Sequence, residues 1–177
     1  MKIAIDSNTL TYLIDATQPS YDPAIDINLA DERISMLRLF LYLGQSFYIL
    51  PTVRNEYNRI KDPKKHYFHK HYHDILLLDT HKNIDPSALN ILKTFYNRTH
   101  TGESDCLVLA EAELSYMDIL LTCDDDFIKK LSSVSSKVKI YRPKDYWKQL
   151  NIPKGSIPNL FPYHSNPLVS KTWWQWN

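Results

Sequence analysis

The sequence is poor in glycine and cysteine and has no long apolar run, and each shortage removes a class of protein. Its 177 residues include three glycines, with neither a G-x-G-x-x-G fingerprint nor a Walker pattern, which argues against a glycine-rich phosphate loop. Cys106 and Cys123 have no metal-ligand spacing, and we interpret them as buried, reduced thiols of a cytoplasmic protein. With no apolar run near 18 residues and no signal-peptide pattern after Met1, we expect no membrane partner.

The remaining composition suits one globular domain. Hydrophobic residues make up 44% of the chain, enough for a full core at this length. The formal net charge of +1 neither favours nor excludes nucleic acid, because binding needs only a local basic patch.

Two short apolar runs end in aspartate. One is Ile3 to Ile5, followed by Asp6, and the other is 119 to 121, followed by Thr122 and the aspartates 124 to 126. Both are typical of strands buried on two faces, as in a parallel sheet. Ligands gather beyond the carboxyl ends of such strands, so we expect Asp6 and Asp124 to face each other. The alternative for the second cluster is a solvated acidic turn that caps the next helix.

Two further carboxylates are expected at the same edge of the sheet. A helix that opens at Pro51, with Thr52 as its N-cap, carries Glu56 in its second turn, close to the end of the strand 47–50. Another helix has Asp105 in its first turn, where the helix dipole favours the ionised carboxylate. That helix leads directly into the strand that precedes Asp124.

The spacing predicts five strands, near 3–5, 47–50, 75–78, 119–121 and 138–141, alternating with helices that include 31–43 and 86–96. This order predicts an α/β fold, a central five-stranded parallel sheet flanked by helices in an α/β/α sandwich. The first helix is expected to end near Ile14, and residues 15–27 to form a loop.

Basic and aromatic side chains alternate between residues 61 and 73. Four lysines stand with four histidines and three aromatic residues, a mixture that suits single-stranded nucleic acid. The alternative is a mobile, solvated loop. A zinc site is a third interpretation, but the consecutive histidine spacings of three, two and two fit neither a closed structural site nor an i, i+4 pair.

Residues 151–177 form a proline-rich extension that contains Trp173, Trp174 and Trp176. It is too poor in core residues to fold alone, and three tryptophans are costly to leave in water. We expect the extension to wrap along the domain or to pack across a subunit interface; the alternative is a flexible end that orders with a partner.

In this order the motifs resemble the PIN domain, the nuclease fold of toxin ribonucleases of the VapC type. The resemblance covers about residues 1–150, a PIN-like nuclease domain, and leaves 151–177 as an extension. The residues that carry it are Ile3 to Leu10, Glu56, Gly102 to Asp105 leading into Ala110, and Leu121 to Phe127.

The resemblance implies a divalent-metal site and assigns its residues. The acidic quartet that holds the metal would be Asp6, Glu56, Asp105 and Asp124, with Asp126 as an auxiliary ligand. The side chains that orient these carboxylates would be Ser7, Asn8 and Thr122. It also implies a homodimer and, as partner, an antitoxin protein.

Electrostatics supports a metal independently of the resemblance. Two carboxylates about 4 Å apart repel by roughly 4 kcal/mol at an effective dielectric constant near 20. Ligands that are all oxygen select hard cations, Mg²⁺ or Mn²⁺. We therefore expect a Mg²⁺- or Mn²⁺-dependent endoribonuclease in which metal-activated water attacks the phosphodiester. The RNA would be held by Lys61, Lys64, Lys65, Lys70 and Arg98.

Two other functions remain open at this point. One is a non-catalytic PIN module that binds RNA or acts as a scaffold. The other is a phosphatase of the haloacid dehalogenase type, although that chemistry needs a second aspartate where this chain has Asn8.

Overall fold

The computed structural model describes residues 1–44, 47–80, 83–162 and 164–177. Five strands form one sheet, ordered β3-β2-β1-β4-β5, and every neighbouring pair is parallel. The strands are β1 (Ile3–Ile5), β2 (Phe47–Ile49), β3 (Leu77–Asp79), β4 (Ile119–Leu121) and β5 (Lys139–Tyr141).

Eight α-helices flank this sheet in the described residues, so the predicted α/β/α sandwich is confirmed and is consistent with a PIN-like fold. Helix α2 packs on α1 and α8, and α6 packs on α3 and α5. The helices are α1 (Ser7–Thr17), α2 (Ala30–Leu43), α3 (Pro51–Asn58), α4 (Pro63–Leu76), α5 (Pro86–Tyr96), α6 (Glu103–Leu114), α7 (Asp125–Leu131) and α8 (Pro143–Gln149), with a 3₁₀ turn at Pro167–Ser170.

The strand order places a crevice beside β1. The chain runs outward from β1 through β2 to β3 and then returns to β4 on the other side of β1. This reversal is the switch point at which parallel α/β sheets bind ligands. Ile5 pairs with both Ile49 and Leu121, so the residues that follow β1, β2 and β4 leave the sheet at one level.

The segment 61–73 is mostly helical, which corrects the loop interpretation. Helix α4 begins after Asp62, whose carboxylate accepts a hydrogen bond from the Lys65 amide at 2.8 Å. It continues to Leu76, so the third strand begins at Leu77 and not at Ile75. Helix α1 likewise extends three residues beyond the predicted end at Ile14.

Two of the four histidines of this segment, His69 and His73, are buried on α4 and lie four residues apart. This i, i+4 relation is not apparent from the spacings between consecutive histidines. His69 Nε2 lies 3.0 Å from Thr11 Oγ1, and its Nδ1 lies 2.8 Å from the Lys65 carbonyl oxygen. His73 Nδ1 lies 2.6 Å from the Tyr57 hydroxyl, and its Nε2 lies 3.1 Å from Asp79. All four ring nitrogens have protein partners, so the pair fastens α4 to its neighbours.

The extension packs on the domain within one chain. Arg38, in α2, donates hydrogen bonds of 2.9 to 3.1 Å to the carbonyl oxygens of residues 173, 174 and 175. Trp174 is buried, and the Trp176 indole donates to the Ile152 carbonyl oxygen at 2.8 Å. These contacts correspond to wrapping along the domain, one of the two arrangements that the composition predicts.

The two cysteines differ in their burial. Cys106 is buried as predicted, whereas Cys123 is only partly buried, and both thiols are free. No helix within the described residues combines the length and apolar character required to cross a bilayer.

Candidate functional site

One cleft of about 220 Å³ collects the four carboxylates predicted from the sequence. It lies where the residues after β1 and β4 meet the first turns of α6 and α7 and the second turn of α3. None of its lining residues is a lysine or an arginine. The cleft is lined by Asp6, Ser7, Asn8, Glu56, Ser104, Asp105, Val108, Asp124 and Phe127.

Asp6 is the most buried of the four acids. It caps α1, and its Oδ1 accepts from the Thr9 amide at 2.7 Å while Oδ2 accepts from the Thr122 hydroxyl at 2.5 Å. Burial raises the pKa of Asp6, the two threonines oppose this shift, and the charge of Asp105 adds to it. Burial and a neighbouring carboxylate thus both disfavour the ionised form of Asp6.

Glu56 is held by two hydroxyl groups from different helices. Ser7, at the start of α1, donates to one carboxylate oxygen, and Ser104, in the first turn of α6, donates to the other. Ser7 was predicted to orient a carboxylate, whereas Ser104 was not. Its position beside Asp105 is the sequence signal that could have identified it.

The helix that carries Glu56 is anchored by a buried carboxylate of α6. The Glu111 side chain accepts from the Thr52 amide at 2.9 Å and from the Thr52 hydroxyl at 2.8 Å. Burial raises the pKa of Glu111, Thr52 opposes the shift, and the charge of Glu56 adds to it. The prediction that Thr52 caps α3 is wrong, because Leu50 is at the N-cap and Thr52 donates to Glu111 instead.

Asp105 lies in the first turn of α6, as predicted. Its Oδ2 is 2.6 Å from Nε2 of His100. His100 is buried and was not among the predicted residues. Its place five residues before Asp105, beyond the end of α5, gives no periodic signal.

Asp124 both caps a helix and lines the cleft. Its Oδ1 caps α7 by accepting from the amides of Asp126 and Phe127 at 2.8 and 2.9 Å, yet the residue also lines the cleft. Thr122 links it to Asp6, because the threonine hydroxyl accepts from the Asp124 amide at 3.1 Å while it donates to Asp6.

The two aspartates after Asp124 lie outside the cleft. Asp126 is exposed and pairs with Lys130 at 3.2 Å, and Asp125 pairs with Arg142. The auxiliary-ligand role of Asp126 stays a prediction, since its side chain would have to leave Lys130. Asn8, predicted to orient a carboxylate, lines the cleft from an exposed position.

The predicted RNA-binding residues are exposed and do not line the cleft. Lys64, Lys65 and Lys70 project from α4, and Lys61 lies just before it. Arg98 is exposed beyond the end of α5. On α4, the rings of Tyr67 and His71 stack with centroids 5.6 Å apart and planes 12° apart.

The donor chemistry of the cleft fits a hard divalent cation, although the side chains are not preassembled around one. Within the described ranges, no group of three or more His, Cys, Asp or Glu side chains is arranged to hold a metal ion. All four potential ligands nevertheless offer carboxylate oxygens. One of them, Asp6, is desolvated, and no basic residue lines the cleft. Such oxygen donors are those that Mg²⁺ and Mn²⁺ prefer.

No protein-family model matches this chain, and no curated protein matches it significantly. The function is therefore inferred from the fold and from the cleft.

Proposed function

We propose that this protein is a divalent-metal-dependent endoribonuclease of the PIN type, which hydrolyses phosphodiester bonds in RNA. The observation that supports it best is the meeting of Asp6, Glu56, Asp105 and Asp124 in one cleft that no lysine or arginine lines. These residues are spread over almost 120 positions of the sequence, and the cleft lies at the switch point of a parallel sheet, where such folds bind ligands.

The same four residues would hold Mg²⁺ or Mn²⁺. Carboxylates gathered at the mouth of a sheet repel each other, and the pKa of Asp6 is already raised by its burial. A bound cation would offset this charge and would supply Lewis-acid activation of water and of the phosphodiester.

The protein's own groups fix the positions of the carboxylates. The Thr122 hydroxyl joins Asp6 to the backbone of Asp124, and the hydroxyls of Ser7 and Ser104 hold Glu56. Hydrogen-bond partners of this kind orient ligands and tune a metal site. Val108 and Phe127 add an apolar wall, which lowers the local dielectric constant and strengthens electrostatic interactions in the cleft.

The substrate would be single-stranded RNA. Lys61, Lys64, Lys65, Lys70 and Arg98 are exposed cations outside the acidic cleft, which suits contact with phosphates that flank the reacting bond. The stacked rings of Tyr67 and His71 offer a platform for an unpaired base.

The test is cleavage of end-labelled RNA in the presence of Mg²⁺ or Mn²⁺. We expect EDTA to abolish turnover, and Asp6→Asn or Asp124→Asn to lower the rate about 100-fold or more, with both variants folded by circular dichroism. Asp31→Asn is the matched control, since Asp31 is exposed on α2 outside the cleft. Turnover that survives both cleft substitutions would contradict the mechanism.

Other outcomes would assign the chain to the alternative classes. RNA binding without cleavage at any metal concentration would indicate a non-catalytic RNA-binding module. A trapped phosphoaspartate at Asp6 would indicate a phosphatase. The toxin role, an antitoxin partner, a homodimer and a cytoplasmic location stay predictions.

A further inference from the structure

His100 contacts the acidic cleft from a buried position behind it. The residue is 6% exposed, and its Nε2 lies 2.6 Å from Asp105 Oδ2. The other ring nitrogen, Nδ1, is buried and has no hydrogen-bond partner within the described residues. The polar contact that the imidazole makes there is therefore with a carboxylate of the cleft.

The backbone around this histidine is fixed on both sides. The His100 amide donates to the Tyr96 carbonyl oxygen at 3.0 Å, which continues the end of α5. The His100 carbonyl oxygen accepts from the Cys106 thiol at 3.3 Å, in the first turn of α6. The segment between the two helices is thus held in place, and the ring with it.

Gly102 provides the space for the contact between the two side chains. A Cβ atom at this position would lie 2.5 Å from His100 Nε2 and 2.8 Å from Asp105 Oδ2. The Gly102 φ of −72° is one that any residue adopts. Glycine is therefore required here for close approach and not for backbone conformation.

We propose that His100 is a positioning residue, which donates its Nε2 proton to Oδ2 of Asp105 and so orients this carboxylate for a divalent cation, with Gly102 leaving room for the pair. This inference rests on the proposed metal site. The contact occupies Oδ2 and leaves Oδ1, which has no hydrogen bond within the described residues. Carboxylates that bind metal ions are themselves commonly held by hydrogen bonds from groups behind them.

The test is the dissociation constant for Mn²⁺ of the full chain without RNA, measured by electron paramagnetic resonance of the free ion. We expect His100→Leu and Gly102→Ala to weaken binding about 10- to 100-fold. We expect His100→Gln to stay within about threefold of the parent, since the glutamine amide can place an N–H near the position of Nε2. Thermal unfolding of each variant shows that it is folded.

His73→Gln is the matched control, because His73 is also buried but contacts Tyr57 and Asp79 away from the cleft. It should lower the unfolding midpoint and leave Mn²⁺ affinity unchanged. A folded His100→Leu or Gly102→Ala protein that binds Mn²⁺ within threefold of the parent would overturn the inference.

RNA cleavage on the same samples separates this inference from the proposed function. If the parent binds Mn²⁺ but cleaves no RNA, while His100→Leu binds weakly, the positioning role stands and the nuclease proposal fails. If the parent cleaves RNA and His100→Leu keeps its affinity, the positioning role alone fails. A parent that binds no Mn²⁺ overturns both.

Discussion

Asp6 is a buried carboxylate in a cleft that no lysine or arginine lines. Burial raises its pKa, and the nearby charge of Asp105 adds to the shift. We expect Asp6→Asn to raise the unfolding midpoint of the metal-free protein at pH 7 by about 2 to 4 °C, equivalent to roughly 1 kcal/mol at this chain length. We expect Mn²⁺ to stabilise the parent, since ligand binding raises stability by mass action, and the same substitution to remove that stabilisation.

Calorimetric or optical melting with and without Mn²⁺ measures both effects. Asp22→Asn is the control, since Asp22 is exposed and its side chain accepts only a local amide, that of Ala24. An Asp6→Asn protein that melts below the parent without metal would show that the hydrogen bonds of Asp6 outweigh its desolvation.

The sign of the pH dependence follows from the raised pKa. Below the ordinary aspartate pKa of 3.8, Asp6 is protonated in both the folded and the unfolded chain and imposes no penalty. As the pH rises, the unfolded chain ionises first, so the parent loses stability until the pH passes the folded pKa. The midpoint of Asp6→Asn minus that of the parent should therefore grow as the pH rises from about 4 and then level off.

Three of the four acidic residues of the cleft were predictable because they follow a strand or lie in a first helical turn, and Glu56 because it lies in the second turn of a helix that follows a strand. Asp6 and Asp124 end apolar runs, and Asp105 occupies a first helical turn. Ser104 and His100 were missed, because each acts through a hydrogen bond to a residue whose position depends on tertiary packing. The position of a single hydroxyl or imidazole in the sequence follows no periodic pattern that would indicate such a contact.

At the scale of secondary-structure elements, α4 is the helix whose segment was interpreted as a loop. Its buried face includes His69 and His73 where a helix more often places aliphatic residues. The apolar period is therefore hidden, although Phe68, Tyr72 and Leu76 recur every four residues and pack against the core. The pair Asp62-Pro63, an N-cap followed by proline, was the start signal that could have identified the helix.

The exposed lysines of α4 allow a test of the proposed RNA-binding surface. Replacing both Lys64 and Lys70 by alanine should weaken binding of single-stranded RNA about 10-fold or more at low salt. It should also reduce the slope of log affinity against log salt by about 1.4, since each phosphate contact on single strands contributes about 0.7.

Fluorescence anisotropy of a labelled oligonucleotide over a salt series provides this measurement. The matched control replaces Lys137 and Lys139, which are exposed near the start of β5, at the end of the sheet opposite the cleft. Equal losses in the two double variants would mean that the RNA is attracted by overall charge and not by α4.

Helix α3 shows that local sequence signals do not fully determine how a helix is positioned. Threonine is a favoured N-cap residue, yet the Thr52 amide and hydroxyl both donate to Glu111 of α6. A buried carboxylate from a distant helix thus replaces the local cap. Glu56, one turn further along α3, consequently takes its position from α6, the helix that also carries Asp105.

At the scale of the whole molecule, Arg38 makes three of the hydrogen bonds that attach the extension to the domain. Arg38 donates to three carbonyl oxygens between 173 and 175 and lies 4.7 Å from the centre of the Trp176 ring. We expect Arg38→Met to destabilise the protein by roughly 3 kcal/mol or more, and to increase quenching of tryptophan fluorescence by acrylamide. Thermal melting and quenching titrations measure the two effects.

Arg59→Met serves as the control for this change, since Arg59 is exposed at the end of α3. An Arg38→Met protein with parental stability would show that the extension does not depend on these hydrogen bonds. Deletion of 168–177 with measurement of solution mass would then reveal whether the extension joins two copies.

The attachment of the extension also determines when the fold can be completed during synthesis of the chain. The carbonyl oxygens that Arg38 needs are 135 to 137 positions further along the chain, so the ribosome makes this arginine long before its partners. At common translation rates of about 5 to 20 residues per second, Arg38 is synthesised roughly 7 to 27 seconds before residues 173–175. During that interval the part of α2 that the extension later covers is open to solvent.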